Sequence, residues 1–326
     1  MRFLALALTL ALLPSSASAQ ILNLAELNTE QITALEQAKT VVIVPGGILE
    51  EHGPYLPSGS DSYQSERHAR GLAERLVARP GWTVVMFPQI PLGSGSANGI
   101  GGKYAFPGSY GIRNQTVRAV YMDLADALGA DGFHWIFLVH NHGYPAQNAA
   151  LEQSGDYFHD TYGGQMVHLF GLMAVRMAGA SLADELSEAE KREEGFSVHA
   201  GFRETSDVLF VRPDLVDPAY RRARPMTGAN FADLVKMARQ DDWPGYFGSP
   251  RLASAARGAK DFELTLAQLT ELAVRILEGY DYRRLPRYAK TMLQDPSEAA
   301  VDHAALAHDA EQERRQRAWL RKKGLE

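Results

Sequence analysis

The chain has 326 residues, of which 45% are hydrophobic and 22% are charged, so its composition excludes a disordered, collagenous or coiled-coil protein. The 33 Lys and Arg residues against 39 Asp and Glu residues give a net charge of −6, which argues against a nucleic-acid-binding protein with a broadly positive surface. There is no cysteine and therefore no disulfide. A protein of this length can rely on a buried core instead.

The first segment, residues 1–19, has the three parts of a secretory signal peptide. A positive start at Met1-Arg2 precedes an apolar run, 3–13, and the small residues 17–19 form an A-x-A cleavage site. Cleavage after Ala19 would start the mature protein at Gln20, so we expect a periplasmic or secreted protein. The alternative is that 3–13 forms a buried helix of the mature fold. No other stretch is apolar for long enough to be a membrane anchor.

Three short apolar runs, 41–44, 83–87 and 135–139, are typical of strands that are buried on both faces. The segments between them have helical spacing of apolar residues, for example Leu72 with Leu76 and Val117 with Val120. This alternation predicts an α/β fold with three layers, α/β/α, around a mostly parallel central sheet. In such sheets, ligand sites lie in the loops that follow the carboxyl ends of the strands.

Further along the chain, residues 187–194 are predicted to form an exposed helix or loop, and residues 207–211 another strand. Asp295 is a plausible N-cap with Pro296 at the first helical position, and a basic helix or frayed end follows. The predicted organisation is a signal peptide at 1–19, a main domain at 20–290 and a helical, basic tail at 291–326.

The first predicted strand is followed by a loop that carries Glu50, Glu51, His52 and Asp61. A mixture of carboxylate and imidazole ligands suits Zn²⁺, Mn²⁺ or Fe²⁺ better than a calcium site. Glu50 and His52 lie two positions apart, so in an extended segment their side chains point the same way. Taken alone, Asp61 could instead be a helix N-cap, and a single histidine is usually not a ligand.

The third predicted strand delivers a second set, since His140 and His142 follow its end directly. When two loops at the ends of successive strands both carry such residues, a shared functional site is a better interpretation than a purely structural role for each residue. A third set, His199 and Glu204, lies just before 207–211 and could supply an acid or base, a ligand or a substrate contact.

The glycine-rich segment 93–111 matches neither nucleotide-binding loop, because Lys103 is followed by Tyr104 and no G-x-G-x-x-G opens a helix there. It is better interpreted as a wall or lid over an active site. A nucleotide cofactor is therefore not expected. A serine nucleophile is also disfavoured, since the candidate serines lack the G-x-S-x-G motif.

Read in order, these motifs resemble those of the creatininase family of metal-dependent amidohydrolases. The segment from Gly47 to Asp61, GILEEHGPYLPSGSD, is similar to the family's leading signature G-x-x-E-Q-H-G-P-H-L-P-x-x-T-D. Corroborating matches follow in the same order: FPGS at 106–109, HNHGY at 140–144, HAGFRETS at 199–206 and GYFGSP at 245–250.

The resemblance implies a two-metal site and a homo-oligomer, with a small-molecule amide as substrate. The residues that it assigns to the two divalent ions are Glu50, His52, Asp61 and His142. Glu50 and His142 would bind one ion and His52 the other, with Asp61 bridging them. Glu204 is our candidate for a further ligand or an acid/base, and His199 matches a family histidine that acts in catalysis. The implied reaction is hydrolysis of a non-peptide or cyclic amide C–N bond by a hydroxide held between two divalent ions.

Four positions depart from the family pattern: Tyr55, His140, Tyr144 and Phe202. They change the pocket while leaving the assigned ligands in place, so creatinine itself is not the expected substrate. Two alternatives stay open. The first is an extracytoplasmic peptidase-like metallohydrolase that acts on a small peptide or modified amino acid. The second is a non-catalytic metal- or ligand-binding protein.

Overall fold

The computed structural model describes residues 21–176 and 178–326. The predicted signal peptide lies outside the described residues. Within them, five strands form one parallel sheet in the order β1-β3-β2-β4-β5. The strands are β1 (Ile21–Asn23), β2 (Thr40–Pro45), β3 (Thr83–Met86), β4 (Trp135–Val139) and β5 (Gln165–His168). The three predicted strands are β2, β3 and β4.

Helices cover both faces of this sheet, as the alternation of strands and helices predicts. The helices of the described residues are α1 (Thr29–Thr33), α2 (Ser60–Val77), α3 (Asn114–Ala130), α4 (Pro145–Tyr162), α5 (Met173–Arg176), α6 (Glu188–Glu194), α7 (Phe202–Val211), α8 (Phe231–Ala238), α9 (Ala255–Leu277), α10 (Tyr288–Met292) and α11 (Pro296–Lys322). None of them is both long and apolar enough to cross a bilayer.

Alternate residues of the central strand β2 face two separate hydrophobic cores. Val41 and Ile43 join a core that is completed by apolar residues of α2 and α9. Val42 and Val44 point the other way, into a core completed by α3 and α4. The α/β/α arrangement is therefore confirmed, with a strand that is buried on both sides at its centre.

A further hydrophobic cluster supports the loops beyond the carboxyl edge of the sheet. It joins Val208 of α7 and Leu234 of α8 to the aromatic residues Trp243 and Phe247. Leu56, from the loop after β2, packs into the same cluster. These contacts fix the loop that carries the first candidate ligands.

The prediction of a strand at 207–211 is wrong, because these residues form the second half of helix α7. The helix packs between two cores. Val208 contacts the cluster around α8, while Phe210 packs against the core that contains α2 and α9. A helix with apolar residues on two faces has few polar positions between them, and over five residues this pattern imitates a buried strand.

The C-terminal segment forms the 27-residue helix α11, in which the side chain of Asp295 caps the backbone amides of Ser297 and Glu298. The segment 187–194 is also helical, since α6 begins after Ser187 with a capping box to Glu190.

Candidate metal centre

The two loops with candidate ligands meet because their strands are neighbours. β2 and β4 pair in parallel, with Pro45 opposite Val139 at their carboxyl ends. The loop after β2 leads into α2 and carries Glu50 and His52, and the loop after β4 leads into α4. Both therefore leave the same edge of the sheet, which brings residues about ninety positions apart into contact.

Glu50, Asp61 and His142 form the first group. The Nδ1 atom of His142 lies 3.0 Å from Glu50 Oε2 and 3.3 Å from Asp61 Oδ2. All three residues are buried. Asp61 is in the first turn of α2, where Gly59 occupies the N-cap position, so its carboxylate is not used for capping.

Asp61 also belongs to a second group, with His52 and Glu204. The Nε2 atom of His52 lies 3.8 Å from Glu204 Oε2. His199 completes the cluster from the other side, with Nδ1 3.7 Å from Glu50 Oε1 and 3.9 Å from Glu204 Oε2. The structure thus brings all six predicted site residues together, from three separate segments of the chain.

Each of the three imidazoles is held by a backbone carbonyl on its far side. His52 Nδ1 lies 3.0 Å from the carbonyl oxygen of Glu50, and His199 Nε2 lies 2.7 Å from that of Glu51. His142 Nε2 lies 2.5 Å from the carbonyl oxygen of Gly95. Because a carbonyl only accepts, the proton of each neutral ring is on this outer nitrogen. The inner nitrogen therefore presents a lone pair to the cluster, as in a metal ligand.

The buried polar atoms that face the centre of the cluster lack partners. Glu50 Oε2, His52 Nε2 and Asp61 Oδ2 are buried without a hydrogen bond. Such atoms are costly unless something else satisfies them. The ligand atoms of each group lie within 4.8 Å of one another, a spread that an ion with bonds of ~2.0–2.3 Å can nearly span. The donor set therefore fits divalent metal ions.

The charges of the cluster also favour a bound cation. Although burial alone lowers the pKa of His142, the Glu50 and Asp61 carboxylates raise it well above its usual value. Burial likewise opposes protonation of His199, yet the surrounding carboxylates, with Glu50 first, raise its pKa to about 9. Both shifts have the same cause, an excess of buried negative charge that bound cations would neutralise.

His140, the other candidate after β4, is not part of the cluster. Its Nε2 accepts a hydrogen bond from the Gly47 amide at 3.1 Å, and burial lowers its pKa to about 3. The ring fills the space beside Gly46, where an added Cβ would lie 1.9 Å from His140 Cδ2. His140 therefore supports the backbone of the loop after β2, at Gly46 and Gly47.

Of the other three departures from the family pattern, Tyr55 and Phe202 pack in hydrophobic clusters and Tyr144 packs on the glycine-rich segment. Tyr55 packs against Tyr246, with ring centroids 5.8 Å apart. Tyr144 packs on Gly95, where a Cβ would lie 2.0 Å from the ring, and Phe202 is buried in a small apolar cluster.

Two supporting contacts are not evident from the sequence motifs. The Ala97 amide donates to Glu50 Oε1 at 2.6 Å. The Arg176 guanidinium donates to the carbonyl oxygens of Asn141 and His142, at 2.6 and 2.5 Å. Arg176 lies in the short helix α5, outside every motif, so no sequence signal marks it.

A cavity of about 450 Å³ opens onto this cluster. Its wall includes residues of the glycine-rich segment, among them Gly95 and Ser109, as expected for that segment. Tyr288 and one side of α11 also line the cavity. A volume of this size is in the ~300–1,000 Å³ range of sites that enclose small organic ligands.

The sequence is similar to those of known proteins. Residues 25–273 match the family profile described as "Creatininase: Creatinine amidohydrolase". The mycofactocin precursor peptide peptidase of Mycobacterium ulcerans (strain Agy99) is 25% identical over 257 residues, which cover 73% of this chain and 86% of that protein.

Solved structures of creatininases share the fold. The structure named "Creatininase Mn" has 20% sequence identity and a TM-score of 0.59, and a Zn-Zn type mutant creatininase has 20% identity and a TM-score of 0.56. In both cases the similarity covers 79% of this chain and 99% of the other. Because the family profile spans most of the sequence, this chain belongs to the creatininase family.

Proposed function

We propose that this protein is an exported hydrolase that cleaves an amide C–N bond with the help of two divalent ions, Zn²⁺, Mn²⁺ or Fe²⁺. The observation that carries the proposal is the convergence of unpartnered Glu50, His52 and Asp61 atoms, with Asp61 shared between two groups of ligand atoms. Glu50 and His142 would hold one ion, and His52 and Glu204 the other. Export rests on the signal-peptide pattern of 1–19, and a homo-oligomer is part of the same proposal.

When bound, such ions polarise a carbonyl group and make a water molecule more acidic. The protein itself would orient the ligand side chains and exclude water from the cluster. The imidazoles are fixed by backbone carbonyls, and the cluster lies at the buried end of the cavity. His199 would act on the leaving group, a role supported by its Nδ1 atom, which faces the cluster while the Glu51 carbonyl holds its other nitrogen. As the C–N bond breaks, a proton that His199 Nδ1 has taken up would pass to the departing nitrogen.

Two substrate classes fit this chemistry. A non-peptide or cyclic amide is the class that the family's name suggests. A short peptide is favoured by another observation, since the relative from Mycobacterium ulcerans is named as a peptidase of a precursor peptide. Capped dipeptides compared with lactams of similar size, under the same metal conditions, separate the two.

The test of the function is metal content measured together with hydrolysis. Asp61→Asn keeps the shape of the side chain but removes the shared negative charge, so we expect loss of at least one bound ion and a fall in kcat/KM of about 100-fold or more. Elemental analysis and an assay on the amide panel measure these effects. Glu74→Gln is the matched control, because it removes a carboxylate from the exposed face of the same helix.

The outcomes are distinct. Full hydrolysis by a chelated, metal-free sample would contradict the proposal. Stoichiometric metal binding without turnover of any amide would instead support the non-catalytic alternative.

A further inference from the structure

One wall of the cavity is built by α11, which lies beyond the matched family region. The helix is held against the cavity by several contacts. The ring of His308 stacks on Tyr104, with centroids 4.2 Å apart and an interplanar angle of 11°. Asp309 accepts a hydrogen bond of 2.7 Å from the Asn114 amide at the start of α3. The position of α11 is therefore defined by this chain's own residues.

The side of α11 that faces the cavity carries three acidic residues beside the apolar Val301 and the ring of His308. Glu298, Asp302 and Asp309 line it at intervals of four and seven residues, which places them on one face of the helix. Among the described residues that line the cavity there is no lysine and no arginine. Asp309 is accounted for by its hydrogen bond to α3, whereas Glu298 has no side-chain hydrogen bond or ion pair to any described residue.

Asp302 is the residue that points to a ligand. It is 8% exposed, and its Oδ1 atom is buried without a hydrogen-bond partner. A buried carboxylate oxygen with no partner is costly and is rarely kept without a reason. The aromatic rings of Tyr144 and Tyr288 line the same cavity, and such rings also attract cations through their faces.

We propose that α11 forms a binding site for a cationic group of the substrate, a primary ammonium or a guanidinium, with Asp302 as its main contact and Glu298 as a second. This inference rests on the proposed function, because it concerns the amide that enters the same cavity. An ammonium or guanidinium group only donates hydrogen bonds, so it complements a wall that offers two carboxylates and no lysine or arginine.

The electrostatics of the two acids agree with this assignment. Burial raises the pKa of Glu298 to about 7. Burial also raises the pKa of Asp302, although Tyr144, the Ala146 amide and the nearby His303 act to lower it. In both carboxylates the loss of water is the largest cause, and neither forms an ion pair with a described residue. A bound cation would supply the positive partner.

The test compares substrates that differ only in charge. Short capped peptides carry lysine or its neutral analogue norleucine at each position in turn. We expect the wild-type protein to favour lysine at one position by about tenfold or more in kcat/KM, because a charge-assisted contact is worth about one to two factors of ten. Asp302→Asn should remove this preference, so that the ratio of kcat/KM for the lysine peptide to that for the norleucine peptide falls to about one.

Glu311→Gln is the matched control, since it removes a charge from the same helix at a residue that does not line the cavity. Its preference for lysine should equal that of the wild type. Thermal unfolding and circular dichroism check that each variant is folded. If Asp302→Asn does not fold, Glu298→Gln is used in the same comparison, with a smaller loss of preference expected.

A second readout does not depend on hydrolysis. Calorimetry measures the binding of n-pentylamine and of the neutral n-pentanol to the metal-free protein. We expect n-pentylamine to bind the wild type about tenfold more tightly than it binds Asp302→Asn, with n-pentanol unaffected.

The outcomes distinguish this inference from the proposed function. If peptides are hydrolysed without a preference for lysine, or with a preference that Asp302→Asn retains, the cation site is refuted while the hydrolase stands. If no amide is hydrolysed but n-pentylamine binding depends on Asp302, the proposed function fails and the cation site stands. Amine binding that is equal in both proteins would refute the site.

Discussion

At the scale of single residues, the site depends on which nitrogen of each imidazole faces inward. His52 presents Nε2, whereas His142 and His199 present Nδ1, and in each case a backbone carbonyl holds the other nitrogen. The sequence identified these residue types but not their orientation. His140 shows why, since it has the same spacing from His142 as Glu50 has from His52, yet its ring turns under the loop. Beyond the end of a strand, alternation no longer determines where a side chain points.

A buried histidine away from the metal centre gives a prediction for the pH dependence of stability. His68 of α2 stacks on Phe262, with centroids 4.6 Å apart, and burial lowers its pKa to about 3. Its unfolded pKa is about 6.5, so the folded state disfavours the protonated form. Its contribution to stability is complete above about pH 6.5 and is lost as the pH falls toward 3.

Replacing this side chain by an apolar ring should remove the effect. Between about pH 6 and 5, the free energy of unfolding of the wild type should fall by up to ~1.4 kcal/mol more than that of His68→Phe. Urea denaturation at several pH values measures the two slopes. Identical slopes would show that His68 does not titrate differently on unfolding.

At the scale of secondary-structure elements, the close approach of helix and sheet depends on particular glycines. α4 packs on β5 so closely that a Cβ at Gly155 would lie 2.2 Å from the carbonyl oxygen of Met166. A backbone atom cannot move aside as a flexible side chain can. The alternation of strand and helix patterns predicts the two layers, but the sequence alone does not tell how near they lie.

Gly155→Ala separates packing from helix propensity. Alanine favours a helix over glycine by ~1 kcal/mol, but overpacking costs ~1–3 kcal/mol. We therefore expect a net destabilisation of about 1 kcal/mol, seen as a lower urea midpoint. Asp156→Ala, at the exposed neighbouring position, is the control and should be neutral or slightly stabilising. A Gly155→Ala protein as stable as the wild type would mean that the layers are free to separate.

Residues 207–211 of α7 have the apolar pattern of a strand, which is why the strand predicted there is wrong. Periodicity reports which positions are apolar, and α7 is apolar on two faces because it lies between two cores. Short apolar runs therefore leave helix and strand undecided. The longer patterns of α2 and α3 are amphipathic over several turns, and there the expected helices are present.

At the scale of the whole molecule, three segments of sequence become one site because β2 and β4 are neighbours in a parallel sheet and α7 packs beside their loops. This convergence was predictable from the order of strands and helices. The position of α11 was not, because the face that it presents to the cavity mixes acidic residues with Val301 and Ala305, and the helix has no regular apolar stripe. Such a helix has the composition of a solvent-exposed tail, although it completes the wall of the cavity.

A crystal structure of the protein grown with Mn²⁺ and measured at the manganese edge tests whether Asp61 joins two divalent ions. We expect two anomalous peaks about 3.5–4 Å apart on either side of Asp61, one beside Glu50 and His142 and the other beside His52 and Glu204. A single peak, or ordered manganese bound away from Asp61, would contradict the two-ion proposal.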